Sequence, residues 1–221
     1  MIPFWLQRQP GPLRILLLGA HCDDIEIGVG GTLLRLIAEQ PALAVRWVVL
    51  SSSAIRAAEA ARSAAAFLAG APAADVAIES FRESFFPWVG GEIKEYFERL
   101  KTTFEPDVVF THTRDDRHQD HRVVADLTWN TFREHLILEY EIPKYDGDLG
   151  APNLFVPLAE GLARRKVELL LENFPSQQRR HWFDEATFLG LMRIRGMESG
   201  GGERFAEAFH CRKLILQPAA Q

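Results

Sequence analysis

The amino-acid sequence predicts an α/β domain built on a mostly parallel sheet with crossover helices. Three observations carry that prediction: short, nearly all-apolar runs recur along the chain, helical patterns separate them, and Gly or Pro punctuates the junctions. Residues 14–19 (Arg-Ile-Leu-Leu-Leu-Gly) form the first run, the pattern of a parallel strand covered on both faces. Residues 30–39 then place Leu33, Leu34, Ile37 and Ala38 at helical spacing, with Pro41 just past the end. A second strand at 45–50 is closed by Ser51-Ser52-Ser53, which can cap a helix over 54–68 that stops at Gly70 and Pro72. A weaker strand follows at 76–78, an amphipathic helix at 92–104 and, after Pro106, a buried-type strand at 108–111. A helix over 119–134 leads to a strand at 136–142. Residues 143–157, rich in Gly, Pro, Asn and Asp, read as loop with a short strand. Helices at 159–173 and 184–195 precede a last strand-like run at 213–216.

The composition bounds the function. At 221 residues and 47% apolar, the chain suits one domain, spanning 1–221, with a sizeable core. A net charge of −5 gives no electrostatic case for nucleic acid or for an anionic membrane surface. No apolar run approaches the ~18–20 residues of a transmembrane helix. The start, Met1 to Arg8, lacks the features of a secretory signal, and Cys22 with Cys211 cannot build a disulfide framework. The expectation is a cytoplasmic protein; oligomeric state is not readable.

The chemistry sits where the first strand ends, in Gly19-Ala20-His21-Cys22-Asp23-Asp24-Ile25-Glu26-Ile27-Gly28. Ligands of open α/β sheets bind beyond the carboxyl ends of the strands. An imidazole and three carboxylates crowded there call for a compensating positive charge. A second polar cluster, Thr111 to His121, follows the strand at 108–111. If both strands lie near the sheet centre, His21, Asp24 and a histidine of the second cluster supply three N/O ligands, with a fourth position left for water, as in catalytic zinc sites. A lone His or Asp after a strand is usually a cap or a surface residue; two mixed clusters on separate strand ends are harder to dismiss. His135, His181 and His210 have no such company. Gly28, Gly30 and Gly31 do not have the spacing of a dinucleotide loop, and Asp23 and Asp24 would repel a pyrophosphate. No phosphate-loop lysine motif or serine nucleophile elbow is present.

The stretch Ala20 to Gly28 resembles the Ala-His-Pro-Asp-Asp-x-Glu-x-Gly signature of the LmbE/PIG-L-like N-acetylglucosaminyl deacetylases. His118-Gln119-Asp120-His121 resembles that family's His-x-Asp-His motif, Arg56 with Glu59 its Arg-x-x-Glu feature, and Ala206-Glu207-Ala208-Phe209 a segment near its C-terminus. The resemblance spans residues 13–211. It implies a Rossmann-like three-layer fold and a divalent metal, usually zinc with iron as the alternative, that serves hydrolysis of an acetamido group on a small-molecule or glycan substrate. By motif position the implied ligands are His21, Asp24 and His121. The implied general base is Asp23; His118 is the implied acid or oxyanion stabiliser, with Asp120 orienting it. Arg56 is a candidate for contact with a substrate hydroxyl or phosphate, its alternative being a salt bridge with Glu59. Glu26 is expected around the site or at a helix N-terminus, where its charge would be favourable. Cys22 departs from the motif's Pro and is expected to be a small filler facing the core. Arg164-Arg165-Lys166 and Arg179-Arg180 read as solvated helix faces. Two other readings are a phosphoester hydrolase, which would commonly hold two ions, and a non-catalytic sugar- or nucleotide-binding module.

Overall fold

The structure is a computed structural model that describes Leu6 and residues 11–215. The start of the chain read for a signal, apart from Leu6, and Leu216 of the expected last strand lie outside the described residues. In chain order the elements are β1 (Leu13–Gly19), α1 (Asp24–Glu39), β2 (Leu43–Val49), α2 (Ala54–Phe67), β3 (Ala73–Ile78), a 3-10 turn (Phe86–Trp88), α3 (Gly90–Thr103), β4 (Val108–His112), α4 (Gln119–Thr131), β5 (Leu136–Tyr140), β6 (Leu154–Leu158), α5 (Glu160–Asn173), α6 (Glu185–Ser199) and β7 (Phe205–Cys211).

The strands form one seven-stranded sheet in the order β3-β2-β1-β4-β5-β7-β6. The first five pair in parallel, while β7 runs antiparallel to both β5 and β6. Period-two alternation sorts β1 between two cores. Leu13, Ile15 and Leu17 pack with α1, α2, α5 and α6, whereas Leu16 and Leu18 pack with α3 and α4. Each fully buried Leu or Ile is worth roughly 1.5–3 kcal/mol, and β1 is buried on both sides, as its apolar run implies. The result is the Rossmann-like three-layer α/β arrangement. No helix among the described residues is long and apolar enough to cross a membrane.

Three departures from the sequence reading have physical causes. The last strand is β7, not residues 213–216, of which 213–215 carry no strand. A charged residue, Glu207, stands in the core-facing row of β7 between Phe205 and Phe209 and masks its apolar pattern. Lys166 is not on a solvated face: it is buried, and its Nζ donates to Glu207 Oε1 and to the Ile27 carbonyl, each at 2.6 Å. Glu207 also accepts the backbone N–H groups of Gly31 (2.8 Å) and Thr32 (2.6 Å), so β7, α5 and α1 are tied through one buried ion pair. Removing one partner of such a pair costs about 3–5 kcal/mol. Finally, α1 begins at Asp24, six residues before the apolar spacing reveals it. Its glycines serve packing: a Cβ on Gly28 would lie 2.2 Å from the Tyr140 ring, and one on Gly31 would lie 2.5 Å from Leu158. Ser53 caps α2, as the serine run suggests, accepting the Arg56 N–H at 3.4 Å.

Candidate metal and catalytic centre

The chain leaves β1 toward β2 on one side of the sheet, while β4 lies on the other side of β1. The loops that follow β1 and β4 therefore meet at the point where strand order reverses, the usual ligand position in such sheets. Both polar clusters are carried there. His21 Nδ1 lies 3.0 Å from His121 Nε2 and 3.4 Å from Asp24 Oδ2, and His121 Nε2 lies 3.5 Å from the same oxygen.

That triangle fits a cation. Four ligands at ~2.0–2.1 Å from a tetrahedral zinc stand about 3.3–3.4 Å apart, close to the three separations here. Two ring nitrogens 3.0 Å apart also cannot aim lone pairs at each other without a proton or cation between them. The far nitrogens are already engaged: His21 Nε2 with Asp120 Oδ2 at 3.2 Å, and His121 Nδ1 with Asp116 Oδ2 at 2.9 Å. His118 also has a ring nitrogen within 4.8 Å of those of His21 and His121.

The electrostatics follow from burial and crowding. Burial opposes the Asp24 charge, but the imidazoles of His121, His112 and His21 hold its carboxyl well below the usual range. Burial also opposes a charged His21, yet Asp24 and Asp120 carry it up to about 10. His121 is pushed down to about 3 by burial and by His112. Burial raises Asp23, against the pull of Arg56, whose guanidinium donates to Asp23 Oδ1 at 2.8 Å. His118 is lowered by burial and by His21.

Arg56 spends its guanidinium on protein groups, Asp23, Glu59 at 3.5 Å and Ser176 at 3.4 Å, above the ring of Phe174. Asp120 lies beside both His21 and His118, and its charge favours a protonated His118. Its carboxylate touches His21 and accepts the N–H groups of Ser84 (2.6 Å) and Phe86 (3.1 Å), while only its backbone N–H reaches His118 Nδ1, at 3.2 Å. The reason is capping: His118 occupies the N-cap of α4 and takes that N–H on its ring, leaving the carboxylate to cross to residues 84–86. Ser84 is the only non-glycine residue at positive φ among the described residues, so the turn holding Asp120 is a strained one.

Glu26 stands in the first turn of α1, as expected, but it is fully buried there, and burial raises its carboxyl well above the usual range. Cys22 does face the core, its Sγ 3.4 Å from the Ser51 carbonyl. Sequence reasoning included His112 and Asp116 in the second polar cluster without singling them out, and it missed Lys144. His112 ends β4, stacks on His121 at 3.8 Å and sits 3.2 Å from Asp24 Oδ2. Alternation from Val108 and Phe110 was the available signal, because it turns residue 112 to the same inner face.

Comparison with known proteins bears on the fold and the family. Solved structures share the fold, at identities that show the fold alone. One is a 4-carboxy-2-hydroxymuconate hydratase, GalB, from Pseudomonas putida (14% identity over 95% of this chain and 100% of that one, TM-score 0.71). Another is a teicoplanin deacetylase in a zinc-inhibited form (13%, 89% and 96%, TM-score 0.69). A third is the N,N'-diacetylchitobiose deacetylase of Pyrococcus horikoshii (20%, 89% and 82%, TM-score 0.66). No curated protein sequence matches the chain. Residues 16–132, which contain both motif segments, match the family described as GlcNAc-PI de-N-acetylase. With over half of its length so matched, the chain belongs to the GlcNAc-PI de-N-acetylase (PIG-L) family.

Proposed function

We propose that this protein is a hydrolase that removes the acetyl group from an N-acetylated amino sugar of the N-acetylglucosamine type, in a glycan, glycoside or nucleotide-sugar. His21, Asp24 and His121 would hold a divalent ion, zinc in this reading with iron as the alternative. The observation that carries the proposal is the triangle of ligand atoms at 3.0–3.5 Å, with Asp23 and His118 beside it. When bound, the ion supplies Lewis acidity, polarising an amide carbonyl and acidifying water to near neutral pKa.

The chain's own residues handle the protons. Asp23 accepts one from the attacking water; a carboxylate raised by burial and steadied by Arg56 suits that role. His118 takes a backbone N–H on Nδ1, so its own proton sits on Nε2, where it can be donated to the amide oxygen or to the departing nitrogen. Asp120 serves through His21, holding the ring with Nδ1 inward. The family membership and the deacetylases among the structural neighbours support this reading; the hydratase shows that the fold also hosts other chemistry. The phosphoester reading needs a second ion ~3.5–4 Å from the first; Asp24, His112 and His121 also stand close enough together to hold an ion, but two of these three already belong to the first set, and His112 Nε2 accepts the Ala20 N–H at 3.0 Å.

The test is a panel of N-acetylated sugars and nucleotide-sugars offered to the ion-loaded protein, reading free amine and acetate. Asp23→Asn should lower turnover about 10²–10⁴-fold, and Asp24→Ala should lose the ion. Retention of both ion and turnover by Asp24→Ala would overturn the proposal.

A further inference from the structure

We propose that Asp116 and Lys144 form a positioning pair for His121, deciding which of its ring nitrogens is offered to the ion; this rests on the metal reading above. A neutral imidazole has one N–H and one lone pair, and the partner of one nitrogen sets the role of the other. The plane of His121 is held by His112, stacked at 3.8 Å, and by His118 at 4.6 Å. Stacking is indifferent to a half-turn of the ring or to its tautomer. Asp116 is not: Oδ2 lies 2.9 Å from His121 Nδ1, so it accepts that N–H and leaves the lone pair on Nε2, facing His21 and Asp24.

Asp116 is 1% exposed and would be a poor buried anion alone. Lys144 Nζ meets the same Oδ2 at 2.8 Å, and Oδ1 accepts the His118 N–H at 2.7 Å. With both oxygens engaged, Asp116 is kept from becoming a ligand itself. Lys144 is in turn fixed by Asp148 Oδ2 at 2.7 Å and the Ile142 carbonyl at 3.3 Å, and Asp148 accepts the Arg117 N–H at 2.7 Å. The segment after β5 therefore reaches a ligand of the centre through one ammonium and one carboxylate. Neither Asp116 nor Lys144 lies in the motifs that mark the family in this sequence.

The experiment is chelator competition for zinc, with the visible absorption of the cobalt-loaded protein as a second readout of coordination. The amide of Asp116→Asn can donate to Nδ1 and favour the wrong tautomer, so zinc affinity should fall ~10–100-fold and the cobalt spectrum should change. Lys144→Met should fall in the same direction by less, and Lys144→Arg should recover most of the loss. If Asp116→Asn does not fold, the two Lys144 variants decide. Wild-type affinity and an unchanged cobalt spectrum in the folded variants, even with lowered melting temperature, would reduce the pair to a structural ion pair and overturn the proposal. Failure of the wild type to take up any divalent ion would overturn the metal reading, and this pair with it.

Discussion

Replacing Arg56 by Met separates two roles for one side chain. Its guanidinium is only 17% exposed and lies 2.8 Å from Asp23 Oδ1. Unit charges about 4 Å apart at an effective dielectric of ~20 interact by about 4 kcal/mol. Water reaching the partly open guanidinium screens some of this, and loss of the charge should raise the Asp23 pKa. A general base works only when ionised, so raising its pKa moves the acid limb of the pH profile toward higher pH. The assay is kcat/KM against pH for ion-loaded wild type, Arg56→Met and Arg56→Lys on an N-acetylated sugar. Arg56→Met should be slow at low pH and recover on the alkaline plateau, with Arg56→Lys between, since a lysine keeps the charge but loses the planar fork. An unmoved acid limb, with kcat/KM reduced equally at every pH, would refute this reasoning and assign Arg56 to substrate contact instead.

Three further outcomes are expected. Glu26 retains its proton in the folded protein at pH values where the unfolded chain has released it, so stability should fall by about 1.4 kcal/mol per pH unit above the ordinary carboxylate range. Glu26→Gln should remove that slope and be the more stable form at neutral pH, as urea titrations at several pH values would show; parallel slopes would contradict it. Gly28→Ala places a Cβ 2.2 Å from a Tyr140 ring whose hydroxyl is tied to the Leu18 carbonyl at 2.6 Å. Overpacking of that kind costs about 1–3 kcal/mol, readable as a lower melting temperature. Cys22 is buried and its thiol is pushed up to about 12 by burial, so a thiol reagent should label Cys211 in the native protein and Cys22 only after unfolding.

What is legible in the sequence is whatever neighbours in the chain decide. β1, β2 and β4 are covered on both faces, so their apolar runs stand out. β7 does not announce itself, because the partner that neutralises its Glu207 is Lys166, on α5 and 41 residues away. Lys166 follows two arginines and reads as solvated for the same reason: one half of a buried ion pair looks like surface. α1 begins where the chain is polar because its first turn belongs to the centre, and its glycines answer to Tyr140 and Leu158, residues no local pattern connects to them.

The centre divides along the same line. His21 with Asp24 and His118 with His121 are separated by three residues each, so spacing alone groups them, and the parallel strands β1 and β4 then carry both groups to the carboxyl ends of the central strands. The residues that orient them come from elsewhere: Ser84 and Phe86 hold Asp120, and Lys144 holds Asp116. Each of these contacts bridges roughly thirty residues, through a backbone N–H in the first case and an ammonium on a loop in the second. Donors that can be recruited from any nearby loop leave no fixed spacing to read. On the metal reading proposed above, ligand identity is a property of the motifs, whereas ligand orientation belongs to the fold, and a chain that kept the motifs but changed its loop after β5 would keep the donors and lose their aim.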